Sequence, residues 1–247
     1  MTAIDEPLGA SNTASTDAPA PVARLKHPRA TRWMHWVNFP VLLVMVWSGM
    51  RIYWANDVYS ISIGSWTPFL FWPDAVNSAL QLERRLALGI AYHLTFGWFF
   101  VLNGLAYVAF LAKSGEWRHI VPDRQGMRDV GRVVLHDLHL RKDEPPKGRY
   151  NAAQQLSYTA VLLMAALLVA SGFAIYKPTQ LKLLTGLLGG YETARMIHFT
   201  MTIGIMGFFV LHLVQVARAG WRNFASMITG YEVEPAPDTT TAGREDG

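Results

Sequence analysis

The sequence contains no cysteine in its 247 residues. This absence excludes disulfides, iron–sulfur clusters, thiolate zinc sites and the CxxCH attachment of c-type haem. A flavin or nucleotide fingerprint such as GxGxxG is also missing. Any redox centre in this chain must therefore be held by ligands other than thiolates.

Charge is also scarce, and it is missing from four long stretches. Lys, Arg, Asp and Glu do not occur in residues 33–50, 86–112, 150–176 and 196–217. A helix that crosses a bilayer needs about 20 apolar residues at ~1.5 Å each, which these stretches supply or nearly supply. The first stretch reaches that length if Arg51 snorkels and the helix continues to about Trp54.

These stretches predict an all-α membrane protein, a bundle of four transmembrane helices. The helices are expected at about residues 33–54, 86–111, 153–176 and 195–217. The alternative is a large soluble protein with buried helices. It is disfavoured because four such stretches in 247 residues leave too little polar surface.

The two ends of the chain differ from its middle. Residues 1–23 are rich in Ala, Ser, Thr and Pro, and residues 231–247 are similar in composition. Such segments have little apolar surface to bury, and residues 1–23 lack the apolar run of a signal peptide. We therefore expect disordered tails at 1–23 and 231–247, on either side of a helical domain at 24–230.

Lys and Arg are concentrated at residues 24–32, in the segment 112–152 and at Arg218 and Arg222. The other two connections between the predicted helices are poorer in these residues. The positive-inside rule then places both termini and the 112–152 segment in the cytoplasm. The first and third helices run outward, and the second and fourth run inward.

Four histidines lie within the predicted helices, and this topology sorts them by depth. His93 and His198 fall in the outer half of the membrane, whereas His35 and His212 fall near the cytoplasmic side. His198 and His212 are 14 residues apart. This spacing is close to four helical turns, so the two share one helix face and lie ~21 Å apart along the axis.

Each level therefore has two imidazoles on different helices. A bis-histidine haem requires this arrangement, because its iron takes one axial nitrogen from each side of the porphyrin. The alternative for each histidine is a hydrogen bond to a neighbouring helix. Titratable residues inside a membrane are functional by default, and here four are paired by depth. The sequence predicts two haems, with His35 and His212 as the axial ligands of one and His93 and His198 as those of the other.

Glycines near these histidines are candidate contacts of a flat macrocycle. Gly89 and Gly97 lie four residues before and after His93, and Gly49 lies 14 residues after His35 on the same face. Close packing between helices would use the same glycines equally well.

The first and third helices also end in related segments. SGMRIY occupies residues 48–53 and SGFAIY residues 171–176. Both helices run outward, so the two segments lie at one level. They indicate either a relic of duplication or shared packing.

At this point the sequence resembles a known family. The residues that carry the resemblance are His93, the His-x13-His spacing of the fourth helix, RATRWMHWVNFPVLLVMVWSG (29–49) and YNAAQQLSYTAVLLMAALLVASGFAIYKP (150–178). They resemble the bacterial cytochrome b561 and nickel–iron hydrogenase b-type cytochrome superfamily. The chain is most similar to the cytochrome b membrane subunits of thiosulfate-reductase-like and other molybdenum oxidoreductases. The resemblance covers about residues 24–230.

The resemblance implies two non-covalent b-type haems, one between the first and fourth helices and one between the second and fourth. It implies a membrane-anchoring subunit in the bacterial inner membrane. This subunit would pass electrons between a periplasmic oxidoreductase, expected to be a molybdenum enzyme, and the quinone pool. We expect the lipid bilayer as the surroundings and no nucleic-acid partner. Whether such a chain is itself an enzyme stays open here.

Two arginines are candidate partners of the anionic haem propionates. Arg32 lies one turn before His35, and Arg195 lies one turn before His198. Either arginine can pair with a propionate, and either can equally be a snorkelling or positive-inside arginine.

Two polar residues are candidates for a quinone site. Asn38 and Gln215 follow the cytoplasmic-side histidines by one turn, although either can instead hydrogen-bond a neighbouring helix. The connection at 55–85 is too apolar for a solvated loop. We expect it to anchor on the outer membrane surface, with partner docking or a quinone pocket as alternatives.

Two other function classes stay open. A small transporter or channel would use intramembrane histidines to relay protons. The absence of haem absorbance would identify it, and four ligand-like histidines at two levels count against it. A stand-alone cytochrome b561 would move electrons between a small external donor, such as superoxide, and quinone. A pull-down from native membrane separates that case, because a subunit brings a partner with it.

Overall fold

The computed structural model describes residues 22–54, 60–63, 65–70, 74–80, 85–137, 140, 142 and 150–234. Most of both predicted tails lies outside the described residues. The side chains of Trp66 and Trp72, on which the anchoring role of the 55–85 connection depends, lie outside them too. In chain order the elements are β1 (Val22–Leu25), α1 (Arg29–Trp54), β2 (Ser60–Ile63), β3 (Trp66–Leu70), α2 (Asp74–Ala79), α3 (Leu86–Ser114), α4 (Trp117–Ile120), α5 (Arg124–Asp137), α6 (Ala152–Tyr176), α7 (Lys182–Leu187), α8 (Tyr191–Thr229) and β4 (Tyr231–Glu234).

The predicted bundle of four membrane helices is confirmed. Helices α1, α3, α6 and α8 are each long and apolar enough to cross a bilayer. Large apolar side chains such as Leu102, Leu105, Val210 and Leu211 lie exposed along them. In a membrane these side chains face lipid tails, so their exposure is favourable rather than costly.

Local sequence signals set where several of these helices begin and end. Asn151 caps α6 through a capping box, in which its side chain accepts from Gln154 N at 2.8 Å and the Gln154 side chain accepts from Asn151 N at 3.0 Å. Helix α3 ends at Gly115, which has φ +74°. Glycine adopts this left-handed conformation without the penalty that a Cβ brings.

Helix α8 is longer than the predicted fourth helix and is interrupted once. Gly220 has φ +80° and ψ +173°, a conformation that is not helical. The charged residues Arg218 and Arg222 flank this point. A bilayer core of about 30 Å accommodates about 20 helical residues. The kink therefore separates the membrane-spanning part of α8 from a final segment outside the core.

The bundle is built from two helical hairpins. Helix α1 packs along α3, and α6 packs along α8, whereas contacts between α1 and α8 are sparse. Asn103 Nδ2 of α3 donates to Met34 O of α1 at 3.0 Å, which places the end of α3 beside the start of α1. Aromatic rings join the hairpins, as where Tyr53 stacks on Phe199 with ring centres 5.2 Å apart.

The two ends of the described chain meet at one end of the bundle. Strands β1 and β4 pair antiparallel, with Val22 opposite Glu234 and Leu25 opposite Tyr231. Lys26 Nζ reinforces this sheet by donating to Asn223 Oδ1 at 3.0 Å and to Glu232 at 2.9 Å. The tail boundaries expected from composition therefore differ from the structure, in which residues 22, 23 and 231–234 form strands. Composition alone could not reveal a pairing between segments about 200 residues apart.

Helices α4 and α5 pack against α6 at the same end of the bundle. Gln155 Nε2 and Thr159 Oγ1 of α6 donate to His119 O at 3.2 Å and to Ile120 O at 3.1 Å. Val133 of α5 is buried in this contact region. The basic segment between α3 and α6 is therefore partly ordered against the bundle.

Arg51 does not snorkel as the sequence predicted. Its residue is only 4% exposed, and its guanidinium carbon lies 4.1 Å from the ring centre of Trp47. Trp47 precedes Arg51 by one turn, so the side chain folds back along α1 rather than reaching outward. A cation over an aromatic face compensates for part of the desolvation of a buried charge.

Candidate haem-binding site

The structure brings the four predicted histidines together as two pairs. The ring centres of His93 on α3 and His198 on α8 are 6.1 Å apart, with an angle of 70° between the ring planes. The ring centres of His35 on α1 and His212 on α8 are 6.0 Å apart, with an angle of 60°. These pairs are the ones that depth alone predicted.

The Nδ1 atom of His93 is held by α1. It lies 3.1 Å from Ser48 Oγ and 3.2 Å from Met45 O. A carbonyl oxygen can only accept, so Nδ1 carries the proton and Nε2 carries the free lone pair. Ser48 Oγ donates its own hydrogen to Val44 O at 2.6 Å, which leaves the hydroxyl oxygen as an acceptor toward Nδ1.

The second hairpin repeats this arrangement at His198. Its Nδ1 lies 3.1 Å from Ser171 Oγ and 3.1 Å from Leu168 O, both on α6. Ser171 Oγ donates to Leu167 O at 2.6 Å. The same reasoning gives a protonated Nδ1 and a free Nε2. An imidazole oriented through its Nδ1–H is the usual state of a histidine that binds a metal through Nε2.

A glycine lies beside each of these two rings. A Cβ added at Gly49 would lie 3.4 Å from Cε1 of His93, and a Cβ added at Gly172 would lie 3.3 Å from Cε1 of His198. The SG dipeptides of the two repeated segments therefore make equivalent contacts with equivalent histidines. Gly49 faces His93 across the hairpin, although its spacing along α1 matches that of His35.

The His35–His212 pair has different surroundings. Nδ1 of His35 is buried and makes no hydrogen bond within the described part of the chain. The ring of Phe208 stacks on that of His212 with centres 5.9 Å apart. Ile205 is buried, and the rings of Phe39 and Phe209 lie 6.4 Å apart. On α8 these side chains occupy the interval between its two histidines.

The residues present fit two bis-histidine haems. Two metal–nitrogen bonds of about 2 Å place the ligand nitrogens about 4 Å apart, which corresponds to ring centres roughly 6 Å apart. Both observed separations agree with this value. Among the described residues no group of three or more His, Asp or Glu side chains converges on one point. Each pair thus offers two protein nitrogens, the number that a bis-histidine haem takes.

The two candidate propionate partners differ in their contacts. Arg195 forms an ion pair with Glu192 at 3.0 Å, and its guanidinium carbon lies 5.8 Å from the ring centre of Tyr191. Arg32 lies against Gly230, and its Nε is buried without a hydrogen bond among the described residues. Arg195 is therefore already paired, whereas Arg32 keeps a buried donor unused.

Gly89 and Gly97 both face α1. A Cβ at Gly89 would lie 2.8 Å from Cβ of Arg51, and a Cβ at Gly97 would lie 3.7 Å from the terminal methyl of Met45. These contacts belong to helix–helix packing, the second interpretation of these glycines. Gly89 in particular permits the close approach of α1 that brings Ser48 to His93.

The quinone-site candidates lie in different surroundings. Asn38 is half-buried, and its Oδ1 makes no hydrogen bond among the described residues. Gln215 is exposed on the outside of α8. Five residues further on, an apolar groove of about 240 Å³ lies at the kink of α8, lined by Val216, Ala217, Gly220, Trp221 and Phe224.

Sequence reasoning did not assign a role to Ser48, Ser171 or Gly172. The signal for them was present in the repeated SGxxIY segments, which were attributed to duplication or packing. Their contacts depend on the register between neighbouring helices, and a single sequence does not contain that register.

The fold and the site together define a class, a helical membrane protein that presents paired histidines to haem. The model of the prokaryotic cytochrome b561 family matches residues 26–230, and the chain belongs to this family. It is therefore a multi-pass membrane cytochrome b of the bacterial inner membrane.

A curated relative is similar over most of its length. It is the putative protein-methionine-sulfoxide reductase subunit YedZ1 of Azospira oryzae, which is 29% identical over 206 residues. The match covers 83% of this chain and 96% of the relative.

Proposed function

We propose that this chain is a di-haem electron-transfer subunit that connects an external oxidoreductase with the membrane quinone pool. The observation that carries the proposal is the pair of histidine sites, with ring centres 6.0 and 6.1 Å apart. His35 and His212 are the axial ligands of one b haem, and His93 and His198 are those of the other. Each bound haem supplies one-electron exchange at its iron.

The protein's own contribution is to hold the two sites in series. His198 and His212 stand on one face of α8, ~21 Å apart along the axis. Side chains of Ile205 and Phe209 lie between them and exclude water from the interval. The thioether-rich and aromatic bundle leaves no thiolate ligand as an alternative, because the chain contains no cysteine.

The orientation follows from charge. Lys and Arg are concentrated at the bundle end that carries β1, β4, α4 and α5. The positive-inside rule places that end in the cytoplasm. His35 and His212 then belong to the inner haem, and His93 and His198 to the outer haem. The partner docks outside, and quinone meets the inner haem near Asn38 and the kink of α8.

The partner is a catalytic oxidoreductase exported to the periplasm, and we expect a molybdenum enzyme. The relative's description as a subunit of a reductase supports an assembled rather than a stand-alone chain, since the match covers nearly all of that relative. A reductase partner takes electrons that quinol releases, which sets the direction from the inner to the outer haem.

Variants that retain one haem each test this order. The chain is placed in lipid nanodiscs with a quinol, and haem reduction is followed by absorbance. His93→Ala retains the inner haem, and we expect quinol to reduce it. His212→Ala retains the outer haem, and we expect quinol to leave it oxidised while an external reductant reduces it. Rapid quinol reduction in His212→Ala with none in His93→Ala would contradict the proposed order.

A further inference from the structure

The repeated SGxxIY segments place two buried serines in equivalent positions. Ser48 on α1 and Ser171 on α6 are both 0% exposed. Each lies on the helix that is the hairpin partner of a histidine-bearing helix. The equivalence extends to distance, because each Oγ lies 3.1 Å from the Nδ1 of its histidine. Two independent hairpins thus present the same contact to the two faces of one site.

We propose that Ser48 and Ser171 are positioning residues that hold His93 and His198 as axial ligands and strengthen them as donors to the iron. The inference rests on the proposed function, since it requires a haem between these two histidines. Its new element is that the hydroxyl oxygens, together with the carbonyls of Met45 and Leu168, act on the haem through Nδ1.

The hydrogen bonds determine the direction of the effect. Each serine hydrogen is used on a carbonyl of its own helix, at 2.6 Å from Val44 O and Leu167 O. Each Oγ therefore turns a lone pair toward Nδ1–H. A hydrogen bond accepted from Nδ1–H raises the basicity of the ring, which makes Nε2 a stronger ligand. A stronger axial donor stabilises ferric over ferrous iron and lowers the reduction potential.

The His35–His212 site does not have this support at His35. The buried Nδ1 of His35 makes no hydrogen bond among the described residues. Loss of a serine hydroxyl at positions 48 or 171 is therefore expected to change one haem and not the other. This selectivity separates a positioning role from a general role in helix packing, which would disturb both haems.

The test is a redox titration of the full chain, with each haem followed by its absorbance. Ser48→Ala and Ser171→Ala each remove one acceptor with little loss of volume. Removal of an outer-shell partner of a metal-binding histidine typically costs 10- to 100-fold in affinity. We take the low end, a tenfold loss of ferric stabilisation, which corresponds to a rise of about 59 mV for a one-electron couple. The component that rises is the one that His93→Ala abolishes.

Ser226→Ala is the matched control. Ser226 is a buried serine that donates to Asn223 O at 2.7 Å, and no histidine contact of its hydroxyl is found in the described part of the chain. We expect both potentials to stay unchanged in this variant. If an alanine variant loses the haem, Ser48→Cys and Ser171→Cys retain a weaker acceptor of similar size, and a smaller rise is expected.

A rise confined to the His93–His198 component, or selective loss of that haem, supports the proposal. Unchanged potentials in both serine variants would overturn it, and so would equal shifts of both haems. A wild-type chain without a haem that depends on His93 would instead overturn the proposed function, because the serines would then have no haem to act on.

Discussion

The imidazole rings of His93 and His198 face each other across the bundle with their centres 6.1 Å apart, and each turns its Nδ1 toward the partner helix of its own hairpin. Both Nδ1 atoms donate to main-chain carbonyls, so both Nε2 atoms are free as ligands. This relationship accounts for two intramembrane histidines that belong to different hairpins.

The first prediction concerns the pairing of the ligands. His93→Ala and His198→Ala should remove the same haem, because either loss leaves the iron with one axial nitrogen. His35→Ala and His212→Ala should remove the other haem. Haem per polypeptide is expected to fall by half in each variant, and redox titration identifies the missing component. The pairing would be wrong if His35→Ala and His198→Ala abolished the same component.

A second prediction concerns the space beside the two rings. Gly49→Val and Gly172→Val place a branched side chain where even a Cβ lies 3.4 or 3.3 Å from the histidine. The ring must then move, so we expect loss of the His93–His198 haem and retention of the other. Gly207→Val is the matched control on α8, because no heavy atom lies within 4 Å of a Cβ there. Equal haem loss in all three variants would reject this account.

The third prediction concerns the kink of α8. Gly220 has φ +80° and ψ +173°, a region that is almost restricted to glycine. Gly220→Ala should therefore cost about 1–3 kcal/mol and lower the Tm of the purified protein. Gly104→Ala, within regular helix and with nothing within 4 Å of the added Cβ, should leave Tm unchanged or raise it. A Tm of Gly220→Ala equal to that of wild type would show that the kink is not required.

The orientation of the bundle gives a fourth prediction. Reporter fusions after residue 65 and residue 140 should lie on opposite sides of the membrane, external and cytoplasmic respectively. The physical reason is the concentration of Lys and Arg at one end of the bundle. Fusions at the two termini should behave like the one after residue 140, because β1 pairs with β4. Opposite locations of the two termini would exclude a four-span topology.

Much of the fold and of the candidate ligand set could be predicted from the sequence. Charge-free stretches follow directly from the cost of charge in lipid, and the spacing of His198 and His212 follows from helical geometry. The environment of the histidines could not be predicted in this way. Ser48 and Ser171 meet His93 and His198 only because neighbouring helices settle in a particular register, and Gly89 decides part of that register through a contact with Arg51.

Other differences have the same origin. Arg51 was expected to reach outward because it follows an apolar stretch, yet a tryptophan one turn earlier offers its charge an aromatic face. The pairing of β1 with β4 joins the two ends of the chain. Both features are tertiary contacts between short segments, and neither has a periodic pattern that a sequence would display.

The central claim is that this chain holds two b haems between four histidines. The most direct measurement is the amount of haem per purified polypeptide by pyridine haemochrome assay, together with a dithionite-reduced minus oxidised spectrum. The account predicts a ratio near two and the spectrum of low-spin b haem. A ratio near one would mean that one histidine pair is only structural, and a ratio near zero would contradict the account as a whole.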